Sequence, residues 1–329
     1  MSDWFEQLFG FKEEGYESTQ GRFEFVKETL ISRANGNQFQ AGRFHTPSIA
    51  ELRSKAVDTA GTSTIKHEIV DDALLLHADP ANSLDMFQVA SQFNALEFPS
   101  ADFTPEDGIT NYAYDSTQGP ACSLAAAAGT LCRNYFMSLD RQIGQTKSKQ
   151  LNNLEDLEFS LNNGAYWQVK NGYVQSDAES LDSFDAEVLK RSWDDMVGAV
   201  RIGIQERTQV TFANRFSPLT TPHLVNQAYC SAVSCAYSSL PIDSWRNLAQ
   251  ISLDAAYEGT LLAAALQRDA GLGSGRVWLT LIGGGAFGNR EIWIYSAIER
   301  ALARGAKLDL DIRICHYKEL MRLFSKLTV

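Results

Sequence analysis

The stretch that most limits how this chain can fold lies near its end. Val277–Asn289, "VWLTLIGGGAFGN", is an apolar run that stops in a glycine cluster, and a run with helical spacing, "REIWIYSAIERALARG", follows at once. Gly283, Gly285 and Gly288 satisfy G-x-G-x-x-G. A strand, a glycine loop and a helix together bring free backbone N–H groups to a helix start, where an anion such as phosphate is well received. The same glycines would also serve a tight turn that only needs positive φ. A classical dinucleotide-binding fold is excluded by position: its fingerprint opens the first strand–helix–strand unit, and here only one further helix and strand have room to follow. No Lys-Ser/Thr pair follows the glycines, so an ATPase-type loop is excluded as well.

Strand-like and helix-like stretches alternate ahead of this unit. "GRFEFVKETLIS" and "GNQFQAGRFHTPS" alternate as strands joined by the "RANGN" turn, and "SIAELRSKAVDTA" predicts a helix capped by Ser48 with Glu51 behind it. Asp85–Leu96, "DMFQVASQFNAL", is a short buried strand running into a polar end. A long irregular loop covers Glu97–Gly119, and Pro120–Phe136 follows as one alanine-rich helix. Residues 137–206 are more polar and include the helix "FDAEVLKRSWDDMVGAVR". "TQVTFA", "LVNQAYCSAVSCAYS" and "LDLDIRICHY" read as strands, with a long helix ending at Gly271 between the last two. Alternation of this kind predicts an α/β fold with a mixed or parallel sheet flanked by helices. It divides into an N-terminal extension (1–70), a core (71–136 and 207–329) and an inserted subdomain (137–206).

Charge narrows the partners. The 29 basic and 40 acidic residues give a net charge of −11, a field that opposes nucleic acid and anionic membrane. It leaves room for a small anion held by backbone amides, whose attraction is local. The five cysteines, Cys122, Cys132, Cys230, Cys235 and Cys315, are scattered and form no C-x-x-C pair. They fit reduced, buried thiols, and with no signal-like start or membrane-length apolar run the expected compartment is the cytoplasm. The five histidines are far apart in sequence, so no metal site is expected.

A second segment extends the reading. "HADPANSLDMFQVASQFNAL" resembles the opening of a macro domain, in which an acidic turn precedes an apolar strand that ends in Asn-Ala-Ala-Asn. Asp79 stands at the acidic position and Ser91–Asn94 at the Asn-rich one, with Gln92 and Asn94 as its polar side chains. Gly285-Ala286-Phe287-Gly288 matches the family's second loop, Gly-x-Phe/Tyr-Gly. The likeness spans roughly residues 70–136 and 208–318. It departs from the family at Ser91, which replaces the first Asn, and in lacking the glycine-rich ribose loop. The resemblance implies a three-layer α/β/α mixed sheet that binds ADP-ribose, and within the superfamily it points toward the group that removes ADP-ribose from arginine.

On that resemblance Asp79 accepts from the adenine amine, and Asn94 faces the distal ribose. The loop Gly283, Gly284, Gly285, Ala286, Phe287, Gly288 and Asn289 wraps the diphosphate. From the residues alone, Asp79 before Pro80 also reads as a turn initiator, and Asn94 as a loop brace. Gln118 and Gly119, just ahead of the alanine helix, offer free N–H groups to the same diphosphate or simply start a helix. For catalysis the carboxylates Glu97, Glu106 and Asp107 are the candidates, Glu97 because apolar neighbours would raise its pKa toward general-acid use. A hydrolase of this kind needs no redox cofactor. The expected partner is ADP-ribose or an ADP-ribosylated protein; a non-catalytic ADP-ribose reader and a hydrolase of a free ADP-ribose derivative stand as alternatives.

Overall fold

A computed structural model describes residues 3–161, 165–214 and 217–328. Seven strands form its main sheet: Arg43–His45 (β1), Thr64–Ile69 (β2), Met86–Ser91 (β3), Gly203–Gln209 (β4), Leu224–Ser231 (β5), Arg276–Leu279 (β6) and Asp311–His316 (β7). Their order is β1-β4-β5-β3-β6-β7-β2. From β5 to β2 all neighbours are parallel, with Ser231 opposite Ser91 and Ile314 opposite His67. β4 alone runs against its neighbours. β3 and β5 are almost wholly buried, as expected for apolar runs in a sheet covered on both faces.

The covering helices follow from the same pattern. Arg246–Asp269 and Glu291–Gly305 pack on one face, joined by Ile49–Lys55 and Trp193–Ala199. Gln118–Ala125, Ala127–Leu131 and Ala73–Ala78 lie on the other. Three of these frame the site: α1 (Gln118–Ala125), α2 (Arg246–Asp269) and α3 (Glu291–Gly305). Each face has its own core. One combines α2, α3 and residues of 154–200; the other combines α1 with the N-terminal aromatics Trp4, Phe5, Phe9 and Phe23. The result is the expected three-layer α/β/α arrangement around a mostly parallel sheet.

Several elements differ from expectation for local reasons. The helix expected over 120–136 breaks at Ala126, because Thr211 takes the Ala125 carbonyl through both its N–H (2.8 Å) and its hydroxyl (3.1 Å). The chain then resumes as Ala127–Leu131 and closes with a wide π turn, Cys132–Phe136. "FDAEVLKRSWDDMVGAVR" is two helices, ending at Val188 and restarting at Trp193 under a Ser192 cap. "GRFEFVKETLIS" is itself a hairpin, turned by Lys27 and Glu28 at positive φ. The Ser48–Glu51 capping box forms as read, and α2 stops before Gly271, whose φ is +70°. Residues 1–70 supply both edge strands of the sheet.

Candidate active site at the carboxyl edge of the sheet

Two parallel strands that part company leave a crevice at their carboxyl ends, the usual place for a ligand in an open α/β sheet. β3 and β6 do this: they pair only at Met86–Val277 and Phe87–Trp278. Beyond that point side chains stand in for the missing ladder. Gln88 Oε1 accepts from the Thr280 N–H (3.1 Å), while Gln118 accepts from the Ala90 N–H (2.8 Å) and donates to the Gln88 carbonyl (2.8 Å). The start of α1 can lie this close only because residue 119 is glycine. A Cβ there would stand 2.1 Å from the Ala90 oxygen. Gln118 and Gly119 are therefore packed against the end of β3, and the Gln118 side chain is already committed to it.

The glycine loop rises from the carboxyl end of β6. Gly283 (φ +78°) packs on Ala232 and Gly288 (φ +69°) on Ala236, so close that a Cβ would come within 2.6 and 2.8 Å. Asn289 ties the two ends of the loop together, donating from its backbone to the Gly283 carbonyl (2.9 Å) and from its side chain to the Val233 carbonyl (2.8 Å). Between these anchors Gly284, Gly285 and Ala286 are exposed. The amides of Gly285, Ala286 and Phe287 donate to no acceptor among the described residues. A Cβ on Gly285 would meet nothing within 4 Å. Consecutive unpaired N–H groups ahead of a helix are the kind of feature that can receive an anion. Phe287 turns back into an aromatic cluster, 5.6 Å from Tyr237 and 5.8 Å from Tyr173.

Glu97 packs against Gly119 beside the Ala90 carbonyl: a Cβ at residue 119 would come within 3.1 Å of its Cγ. Its side chain is 2% exposed, and neither carboxylate oxygen accepts a hydrogen bond among the described residues. Burial pushes its pKa up to about 7, and the Arg133 guanidinium pulls the other way. Arg133 is fully buried, 3.7 Å from Glu97, and stacked 3.5 Å over the Tyr229 ring. A half-compensated buried carboxyl of this kind holds its proton near neutrality, which is what a general acid requires.

The remaining sequence candidates are distributed less favourably. Gln92 forks onto Phe98, accepting from its N–H (2.8 Å) and donating to its carbonyl (3.2 Å). Asn94 is fully buried and pairs with Gln150 (2.8 Å) and with the Leu96 N–H (3.1 Å). Both brace the loop after β3; as described, Asn94 faces Gln150 in the 137–206 segment, against the expectation that it meets a ribose. Asp107 caps its own turn through the Thr104 N–H (2.7 Å) and hydroxyl (2.9 Å), and Glu106 accepts from the Lys147 N–H (3.1 Å). None of these bonds reaches the glycine loop. Asp79 stands at the opposite end of the sheet: its carboxylate accepts from the Ala81 N–H (2.9 Å), and the Ala81 carbonyl accepts from Arg276 (3.3 Å), the first residue of β6. The structure keeps it apart from the glycines, because an Asp-Pro turn ahead of β3 lies at the amino end of that strand.

Arg133, Tyr112 and Tyr173 also surround the acid and its loop, though no motif in the sequence marks them. A lone arginine inside "GTLCRNYF" was a legible signal for a buried ion pair; Tyr173 had none, since its partners are distant in sequence. Tyr229 and Tyr257 are fully buried, whereas Tyr237 is 52% exposed beside Phe287. Among the described residues no group of three His, Cys, Asp or Glu is disposed to hold a metal ion, and no helix is long and apolar enough to cross a membrane.

The fold and site define a mixed α/β protein with unpaired loop amides and a buried carboxyl beyond the carboxyl ends of its central strands. No family model and no curated protein matches the sequence. Solved structures do. Poly(ADP-ribose) glycohydrolase from Deinococcus radiodurans, in complex with ADP-ribose, is 11% identical, with 87% of this chain and 94% of that chain covered at a TM-score of 0.49. The poly(ADP-ribose) glycohydrolase from Thermomonospora curvata is 12% identical, with coverage of 94% and 95% and a TM-score of 0.44. The same enzyme bound to the inhibitor ADP-HPD is 14% identical at a TM-score of 0.43.

Proposed function

We propose that the protein is an ADP-ribosyl hydrolase. The observation that carries the reading is the run of unpaired amides at Gly285, Ala286 and Phe287, a few residues ahead of α3, with the Phe287 ring among aromatic neighbours. Such a nest suits a diphosphate, and the match of this loop and of the β3 region to the macro-domain pattern supports ADP-ribose as its owner. Glu97 supplies the chemistry. Protonated near neutrality, it gives its proton to the leaving atom as the bond to the distal ribose C1″ breaks. A water adds to C1″, and the proton it loses restores the acid. An arginine-linked substrate fits an acidic surround that includes Asp115, which acts electrostatically on both Glu97 and Tyr173. The five cysteines, all buried free thiols, support action in the cytoplasm.

A second reading, a non-catalytic ADP-ribose reader, is favoured by the closure of Glu97. For turnover the loop carrying the exposed side chains Phe103 and Tyr114 must open over the acid; a reader needs no such motion. Calorimetric titration with ADP-ribose, with AMP and NAD as controls, tests the ligand. Selective binding to wild type and its loss in Gly285→Glu are expected, because a Cβ there meets no protein atom within 4 Å and the added negative charge repels a diphosphate beside the loop amides. Undiminished binding by that variant would remove the diphosphate assignment. Incubation with arginine-linked and carboxylate-linked ADP-ribosyl protein then separates hydrolase from reader.

A further inference from the structure

The acid-bearing loop and the glycine loop come from different parts of the chain, and one side chain touches both. It belongs to the inserted segment. The hairpin Gln168–Lys170/Tyr173–Gln175 turns through Asn171 and Gly172, both at positive φ (+50° and +80°). Its tip is pressed onto the end of β3. The Gly172 carbonyl accepts from the Phe93 N–H (3.0 Å), and a Cβ on Gly172 would come within 2.6 Å of Asn94 Oδ1. Asn171 donates to the Ala101 carbonyl (2.7 Å) and accepts from Gln150 (2.6 Å), which itself accepts from Asn94. The hairpin therefore grips the 92–101 loop at both ends.

Tyr173 follows the tip directly and is buried. Its hydroxyl donates to the Phe98 carbonyl and accepts from Gln92 (3.3 Å). On the other side of Glu97, the Gln92 N–H donates to the Leu96 carbonyl (2.9 Å), and the Glu97 N–H itself donates to the Tyr112 hydroxyl (2.9 Å). The acid is held at three consecutive residues, and Tyr173 closes the last of these contacts. Its ring meanwhile meets Phe287 and Tyr237.

We propose that Tyr173 is a positioning residue that locks the Glu97 loop to the glycine loop, so that the inserted hairpin sets the distance between the acid and the bound diphosphate. The idea rests on the hydrolase reading and adds to it a part for the insertion. Nothing in it requires Tyr173 to touch substrate. Losing its hydroxyl leaves the Phe98 carbonyl a donor short and frees the acid to wander, while Phe287 keeps its ring partner in a phenylalanine variant.

The test is steady-state hydrolysis of ADP-ribosylated protein by wild type, Tyr173→Phe and Gln92→Met. ADP-ribose titrations and melting curves accompany each protein. Tyr173→Phe is expected to lower kcat about tenfold with KM within about twofold, the loss that follows from one buried hydrogen bond of about 1.4 kcal/mol made in the aligned state. The high-pH limb of kcat is expected to shift to lower pH, because a looser loop lets water reach Glu97 and favours its ionised form. Gln92→Met, which removes the other fork on Phe98, is expected to act in the same direction. A purely structural tyrosine would lower the melting temperature and leave both kcat and the pH profile of folded enzyme alone; that outcome overturns the proposal. Wild type that binds ADP-ribose without turnover overturns it too, since there is then no acid to align. Wild type that does not bind ADP-ribose strikes the underlying reading instead.

Discussion

Glu97 is the residue at which packing and chemistry are hardest to reconcile. Burial holds its pKa at about 7, against 4.5 for a free glutamate. Over that window the unfolded chain has released its proton and the folded chain has kept it, so the folded state binds more protons and loses stability as pH rises. The loss is complete above the folded value and amounts to about 3 kcal/mol. Glu97→Gln carries no such proton. In urea unfolding at about pH 4 and about pH 8, the variant is expected to gain on wild type by about 3 kcal/mol between the two conditions. A difference that stays constant with pH would mean that Glu97 is ionised in the folded protein, and the general-acid role would go with it. The sequence hinted at this residue through its apolar neighbours Leu96 and Phe98. It could not announce that Glu97 is the partner of Arg133, since between them the chain kinks at Ala126 and closes in a π turn.

Among elements, the contact of α1 with β3 does most to shape the crevice. Gln118 spends its amide where a strand would have paired, and Gly119 permits the approach. Gly119→Ala forces a methyl against the Ala90 carbonyl at 2.1 Å. Backbone on both sides leaves little room to yield, so a destabilisation of about 1–3 kcal/mol is expected, read as a lowered denaturation midpoint with unchanged slope. A variant within about half a kcal/mol of wild type would show that α1 can back away and that the crevice is not rigidly framed. Elements of this kind were partly legible. The β6–glycine–α3 unit, the Ser48 cap and the end of α2 could be read because each rests on neighbours in sequence. Asp79 misled because a turn signal says where a chain bends and not which end of the sheet it bends at. Gln92 and Asn94 misled because their partners, Tyr173 and Gln150, lie far away in the sequence.

At the scale of the whole molecule, the N-terminal residues straddle the sheet. β1 closes one edge and β2 the other, and β2 pairs with β7, so the last strand of the chain is held by one of the first. The aromatic cluster ahead of β1 forms the core beneath α1: Phe9 is fully buried and lies 4.8 Å from Phe5, 5.0 Å from Phe23 and 5.3 Å from Phe39. That core also contains Leu96 and Phe98, the residues on either side of Glu97. An arrangement with the terminal segment woven into both edges and into the support of the acid is expected to unfold as one unit. Phe9→Ala, which empties about one aromatic side chain from a closed core, should cost about 3–5 kcal/mol. If the unit is single, that loss appears undiminished in the hydrogen exchange of β3 amides, far from the mutation, and urea transitions followed by fluorescence and by circular dichroism stay coincident. An early transition confined to residues 3–45, with β3 protection unchanged, would make the N-terminal part a separable layer. The site would then have to be held by the inserted hairpin alone.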